Sequence, residues 1–401
     1  MCNFVKFFGL LSAGWRAAIL RFFMLAALVG MAGCSWVIPK LYPFYPLPAP
    51  QGPYAIGTEV FEWTDQSRLE WFTDDPQDHR RIVVQVWYPT DAADAASAAV
   101  TYPYLDQPAR RIRPLARQMA LPAFLIQHMQ TLQSHANYGA APRTSAQSRP
   151  VILFSHGLGG WRAQNTVQVE ELVSHGYVVV AVDHTYDAYV TLFADGTDAE
   201  HRSSPAINGE AEFWAVRGPQ LATRAADLSF VLDRIEALQA AGAAEIWRQM
   251  AIQTVGVFGH SYGGATAVMV LHNDPRVVAG IALDGWMVPV PETVIETGFD
   301  KPFIYMGQPQ WDDALNYEKL DRMLAKSEAA TEKALLAGTK HFDFSDTPQV
   351  SSAARRFGFT GSVPAPELKT QINSTLLDFF NRHLVFNNRQ AVTQLDQTDT
   401  R

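Results

Sequence analysis

The chain has 401 residues, 48% hydrophobic and 18% charged, which is ample apolar material for a large soluble core. Its formal net charge is −8, and it has no stripe of Lys and Arg interleaved with aromatics, so the usual electrostatic footprint of a nucleic-acid binder is missing. Neither G-x-x-x-x-G-K-[ST] nor H-E-x-x-H occurs, and the only cysteines are Cys2 and Cys34, which leaves no handle for P-loop or zinc-protease chemistry, a disulfide-stapled core or a cysteine nucleophile.

Taken in order, the chain begins with positive charge at Lys6, Arg16 and Arg21, then an uncharged apolar stretch from Phe22 to Gly33. Those 12 residues fall short of the roughly 20 needed to span a bilayer. With Met31-Ala32-Gly33 before Cys34, residues 1–33 read as a signal peptide of lipoprotein type. The site resembles a bacterial lipobox. That resemblance implies lipid modification of Cys34, a membrane partner through an N-terminal lipid anchor, and a location in the bacterial cell envelope (outer membrane or periplasmic face), or secretion.

Residues 34–56 carry Pro39, Pro43, Pro46, Pro48, Pro50 and Pro53, which disfavour regular structure and suit a semi-rigid tether. A loop wrapped on the domain surface is the other arrangement compatible with this composition. Residues 57–387 form the expected catalytic domain. Thr58–Trp63 and Ile82–Tyr88 read as strands, and Ala92–Ala99 as a small-residue loop. Arg110–Gln133 has helical stretches interrupted by Pro114 and Pro122, either a cap over a site or ordinary packing.

From Val151 the pattern alternates between strand and helix. Strands are expected at Val151–Phe154, Tyr177–Val182, Val255–Phe258, Val277–Leu283 and Pro302–Met306. Helices are expected at Gln164–His175, Arg217–Ala240, Ala265–Leu271, Tyr317–Leu336 and Leu376–Val385. This order predicts an α/β fold with a mostly parallel central sheet and helices on both faces. Residues 388–401 form a polar tail.

The chemistry centres on Gly259-His260-Ser261-Tyr262-Gly263. An apolar strand precedes this G-x-S-x-G and a helix follows, the context in which the motif marks a nucleophile on a strained turn. A serine hydroxyl needs a histidine to take its proton and a carboxylate to orient that histidine. In this arrangement the chain order is Ser, acid, His. Only His272, His341 and His383 follow Ser261. His272 ends the helix that starts at the nucleophile, and His383 lies in the closing helix beside Phe379 and Phe380, so His341, in a loop-like stretch, is the expected base. For the acid, Asp284 at the end of a strand competes with Asp312 or Asp313 after the next one, and strand-end placement favours Asp284. The oxyanion formed on attack needs fixed N–H donors. Tyr262 supplies one, and Leu158 in the Gly-rich Phe154-Ser155-His156-Gly157-Leu158-Gly159-Gly160 supplies the other. Trp161, Trp286 and Met287 are expected to form an apolar substrate rim. No metal and no cofactor is implied.

These motifs, with Leu283-Asp284-Gly285-Trp286-Met287, Arg224–Asp233 and Phe380-Asn381-Arg382-His383-Leu384, resemble the platelet-activating factor acetylhydrolase family of α/β-hydrolases over roughly residues 57–385. The resemblance implies an α/β-hydrolase fold and a calcium-independent serine hydrolase that removes short or oxidised acyl groups from phospholipids. Its triad maps onto Ser261, Asp284 and His341, with Leu158 and Tyr262 as oxyanion donors. Tyr262 stands where animal members typically have Phe, and Gly285 replaces a common Ala. Two other functions fit the sequence: an envelope esterase for polyester or other short-chain esters, and a non-catalytic binding protein on a hydrolase scaffold.

Overall fold

The computed structural model describes residues 37–98, 100–145, 147–202 and 206–385. The two apolar runs that frame the motifs, β5 (Arg149–Ser155) and β9 (Met250–His260), lie side by side and parallel, with Leu153 opposite Val257. They form the middle of a ten-stranded sheet. With β1 (Ala55–Leu69), β2 (His79–Thr90), β3 (Thr101–Pro103), β4 (Gln133–Tyr138), β6 (Val178–Asp183), β10 (Val277–Leu283), β11 (Phe303–Gly307) and β12 (Thr331–Leu335), its order is β12-β11-β10-β9-β5-β6-β2-β1-β4-β3. From β6 to β12 every neighbouring pair is parallel. The strands β7 (Val190–Leu192) and β8 (Asp198–Glu200) pair separately.

Continuous apolar strands require cover on both faces, because successive side chains point to opposite sides. Val151 and Leu153 pack with α3 (Glu210–Ala240) and α4 (Tyr262–Asn273), through Leu228, Ile235 and Val268. Ile152 and Phe154 pack on the other face with α2 (Thr166–Ser174) and α6 (Ala365–Phe380), through Val169, Ile372 and Leu376. This sheet, covered on both faces, is the α/β-hydrolase arrangement.

Three local expectations change. Ala92–Ser97 is a short helix, not a loop. The helix α1 (Pro108–Gln118) runs through Pro114, because burial of Arg111, Ile112, Leu115 and Ala116 outweighs one lost hydrogen bond. The expected helix Tyr317–Leu336 is instead α5 (Leu315–Lys326) followed by the edge strand β12. Ser327 is already extended, and polar Thr331, Glu332 and Lys333 suit a sheet edge. The helix propensity of the Glu328-Ala329-Ala330 run hides this break in the sequence.

Residues 37–56 do not stand apart as a tether. Leu47 is buried, the Tyr45 N–H donates to the Val350 carbonyl at 2.8 Å, and the Tyr54 N–H donates to the Ser174 carbonyl at 3.1 Å. The stretch is therefore wrapped on the domain surface. Residues 1–33, Cys34 and the tail 388–401 lie outside the described residues. Among the described residues, no helix is long and apolar enough to cross a membrane.

Candidate active site

Ser261 joins β9 to α4 with φ 58° and ψ −121°, a conformation a residue with a Cβ rarely adopts. The flanking glycines follow from sterics. A Cβ on Gly259 would lie 2.1 Å from the Gly263 carbonyl oxygen, and one on Gly263 would lie 1.9 Å from the Ser155 carbonyl oxygen. The turn is thus packed so closely that only the serine side chain projects.

The Ser261 hydroxyl donates to His341 Nε2 at 2.9 Å, and His341 Nδ1–H donates to Asp284 Oδ2 at 2.6 Å. Asp284 is fully buried. Its other oxygen accepts from the Gln308 N–H at 3.0 Å and from Trp311 Nε1–H at 3.1 Å. The carboxylate is therefore held on both sides, and the imidazole is fixed with its proton on Nδ1 and its lone pair toward the serine. The His341 side chain keeps 28% exposure, in contrast to the fully buried acid behind it. The rival carboxylates Asp312 and Asp313 are exposed, and Asp313 accepts from the Leu315 N–H at 3.0 Å. His272 is exposed on α4, and His383 packs on the Phe379 ring at 4.7 Å. Sequence reasoning missed Trp311, whose indole holds the acid from beside the two rivals.

The loop that carries His341 is tied to the N-terminus of α2. Asn165 Nδ2–H donates to the Phe344 carbonyl at 2.8 Å, while the Thr166 and Val167 N–H groups donate to Asp346 at 2.7 and 3.0 Å. Asp346 is buried, which raises its pKa well above the usual carboxylate range.

The loop after β5 touches the nucleophile, since a Cβ on Gly157 would sit 3.2 Å from Ser261 Cβ. The Gly157 carbonyl accepts from the Gly160 N–H at 3.0 Å and from His156 Nδ1–H at 2.6 Å. Pinning that carbonyl fixes the opposite edge of the same peptide plane, which is the Leu158 N–H. Among the described residues, the N–H groups of Leu158 and Tyr262 meet no acceptor. One follows the nucleophile directly, and the other follows Gly157, which lies against Ser261.

A buried polar network supports this loop from below. Arg224 on α3 donates to Ser155 Oγ at 3.1 Å, to Thr266 Oγ1 at 2.9 Å and to the His156 carbonyl. Ser155 Oγ–H donates to His184 Nε2 at 3.0 Å, and His184 Nδ1–H donates to Asp227 at 2.9 Å. Asp227 in turn pairs with Arg80 at 2.7 Å. Ser155, His184 and Asp227 repeat the serine, histidine and carboxylate order, but all three are fully buried and Arg224 occupies the serine oxygen, so this set is a strut. Burial and the Arg224 charge push the His184 pKa down to about 3, so the ring is neutral. Its members come from β2, β5, α3, α4 and the loops after β5 and β6, and no local motif announces them.

Of the three rim candidates, Trp286 adjoins the nucleophile's turn, with its ring 5.4 Å from that of Tyr262. Met287 is a correction. It is fully buried in the core, since residue 287 turns back under Gly285 and not toward solvent. Trp161 is half-buried. It packs between Tyr104 and Tyr189, at 5.7 and 5.5 Å, in a separate apolar cluster with Leu47 and Leu115. Beyond Trp286 a cavity of about 760 Å³ is lined by Phe213, Trp214, Val288, Pro291, Leu315 and Lys319. The Phe213 ring meets Trp286 edge-on at 6.0 Å.

Comparison with known proteins places similar chains beside this geometry. The family described as platelet-activating factor acetylhydrolase, isoform II, matches residues 43–400. A chicken (Gallus gallus) protein named platelet-activating factor acetylhydrolase is 27% identical over 262 residues, 59% of this chain and 62% of its own length. The guinea-pig (Cavia porcellus) protein of the same name is 25% identical over 84% of this chain and 78% of its own. The chain thus spans about three fifths of the chicken relative. Among solved structures, a ferulic acid esterase from Streptomyces cinnamoneus superposes with a TM-score of 0.67 at 27% identity, covering 84% of this chain and 93% of that one.

Proposed function

The chain belongs to the platelet-activating factor acetylhydrolase isoform II family, and from that premise we propose that it is a serine carboxylic-ester hydrolase acting through an acyl-enzyme on Ser261. The observation that carries this reading is the hydrogen-bonded chain from the Ser261 hydroxyl through His341 to buried Asp284. As Ser261 Oγ attacks the ester carbonyl, His341 Nε2 takes its proton, and Asp284 stabilises the imidazolium. Charge builds on the carbonyl oxygen, where the N–H groups of Leu158 and Tyr262 receive it. His341 then protonates the leaving alcohol and activates a water that releases the acyl group.

The substrate in this reading is a phospholipid-like ester with a short or oxidised acyl group. Support comes from the names of the relatives and from the aromatic surface beside the base, where exposed Phe342 packs against exposed Phe359 at 6.1 Å. A second reading, an esterase for other short-chain esters, draws support from the Streptomyces structure and from the aromatic wall of the cavity at Phe213 and Trp214. Rates on a 1-alkyl-2-acetyl glycerophosphocholine, a feruloyl ester and a polyester film separate the two. The first reading requires the phospholipid to have the highest kcat/KM. Binding of these esters with no turnover would instead point to a non-catalytic scaffold.

We also propose that Cys34 carries a lipid that anchors the domain to the bacterial envelope. The signal-like residues 1–33 support this. Incorporation of labelled palmitate, lost in Cys34→Ser, tests it.

A further inference from the structure

His260, the residue before the nucleophile, is buried and takes no part in the proton transfers above. It lies in a chain of three hydrogen bonds, two of which it makes itself. The Gly157 N–H meets Gln164 Oε1 at 2.8 Å, Gln164 Nε2 meets His260 Nδ1 at 3.0 Å, and His260 Nε2 meets the His341 carbonyl at 3.0 Å.

The two ends of this chain fix every direction within it. A backbone N–H can only donate, so the oxygen of the Gln164 amide must face Gly157. The amide nitrogen then faces His260 and donates, which requires a lone pair on Nδ1. The ring proton therefore sits on Nε2, where a carbonyl can only accept. One neutral tautomer of His260 satisfies all three contacts, and the other tautomer breaks two of them. The surroundings agree with a neutral ring. Burial, then the neighbouring His341 ring at 4.6 Å, hold the His260 pKa well below the usual histidine range.

The path joins three parts of the site that are distant in sequence. Gly157 precedes the oxyanion donor Leu158, His260 precedes the nucleophile, and the carbonyl belongs to the base itself. The packing leaves no slack, since a Cβ on Gly157 would lie 3.3 Å from His260 Nδ1 and one on Gly160 would lie 2.3 Å from Gln164 Oε1.

We propose that Gln164 and His260 form a positioning relay that holds the backbone of His341 in register with the oxyanion loop. This role matters for catalysis only if Ser261 and His341 act as proposed above. The relay touches no substrate. Its loss lets the base and the oxyanion donors drift relative to each other while the binding surfaces stay in place. The consequence falls on kcat and leaves KM nearly unchanged, because a displacement of an ångström at reacting groups costs up to about a hundredfold in rate.

The test has two independent arms. Nitrogen NMR of the 15N-histidine-labelled protein at pH 7.5 reads the tautomer, with the His260 signal assigned by its absence from His260→Phe or His260→Gln. The relay requires the neutral Nε2–H form; an Nδ1–H form or an imidazolium overturns it. Kinetics of Gln164→Met, His260→Phe and the double variant on p-nitrophenyl acetate read the role. Each single change lowers kcat about ten- to a hundredfold with KM within about twofold, and the double variant falls no further than the worse single one. Unchanged kcat, or losses that multiply, contradict the relay. Should the Phe variant not fold, the tautomer and Gln164→Met still decide. Ester hydrolysis that persists in Ser261→Ala would overturn the hydrolase reading instead, and the tautomer would still report the relay's geometry.

Discussion

Trp286 donates its backbone N–H to the carbonyl of Ser261 at 2.9 Å, while the Ser261 N–H donates to the Leu283 carbonyl at 3.0 Å. This reciprocal pair zips the nucleophile's turn to the acid's turn. Both turns are strained, with φ 58° at Ser261 and 44° at Asp284. Conformations of this kind cost about 1–3 kcal/mol each and persist only where the surroundings enforce them.

Close contact of the two turns depends on paired glycines. A Cβ on Gly264 would lie 2.6 Å from Gly285 Cα, a backbone atom that cannot step aside. Gly264→Ala is therefore expected to push the turns apart, lowering stability by about 1–3 kcal/mol and kcat by tenfold or more. Denaturant unfolding and steady-state kinetics on one preparation check both.

Asp284→Asn keeps the shape of the acid but allows the wrong histidine tautomer. A loss in kcat on the order of 10³–10⁴-fold is expected. Asp312→Asn, at an exposed position, is expected to stay within twofold of wild type. The reverse ranking would move the acid's role to Asp312.

Much of this arrangement is legible in the sequence because it is local or follows chain order. Ser261 announces itself by glycines two residues away on each side, His341 by elimination among three downstream histidines, and Asp284 by its place after an apolar strand. What the sequence hides is contact between distant elements. Gln164 and His260 are 96 residues apart, and Arg80 and Asp227 are 147 apart. Met287 reads as a rim residue beside Trp286, yet neighbours in a turn face opposite ways, and the sequence does not say which of them is buried.

Trp311 supplies an indole N–H to Asp284 Oδ1, and the Gln308 N–H supplies a second donor. Trp311→Phe keeps an aromatic ring but removes the indole donor, leaving the Gln308 N–H and the Tyr305 hydroxyl on Oδ1. A three- to tenfold fall in kcat with KM unchanged is expected, about the net value of one ordinary hydrogen bond, because other donors to the carboxylate remain. A matched rise in KM would place the indole in substrate binding.

His184 stays neutral in the folded protein down to about pH 3, whereas an unfolded histidine takes up a proton near 6.5. Between these values the unfolded chain binds the extra proton. The contribution is fully present above pH 6.5 and is lost as the pH falls through the window. His184→Gln lacks this linkage. Its deficit against wild type should be largest at pH 7–8 and should shrink below pH 6.5 by at most about 1.4 kcal/mol per unit. Urea melts at several pH values read this directly, and a deficit that does not change with pH contradicts it.

The central claim is that the Ser261 hydroxyl is a nucleophile activated by His341. Its most direct test is intact-mass and peptide mapping after exposure to diethyl p-nitrophenyl phosphate, which transfers a diethylphosphoryl group to an activated serine. One adduct is expected, on Ser261, formed far more slowly in His341→Ala, with ester hydrolysis falling in step with labelling. An unlabelled Ser261 in a protein that still loses activity, or full hydrolysis by Ser261→Ala, would contradict the claim.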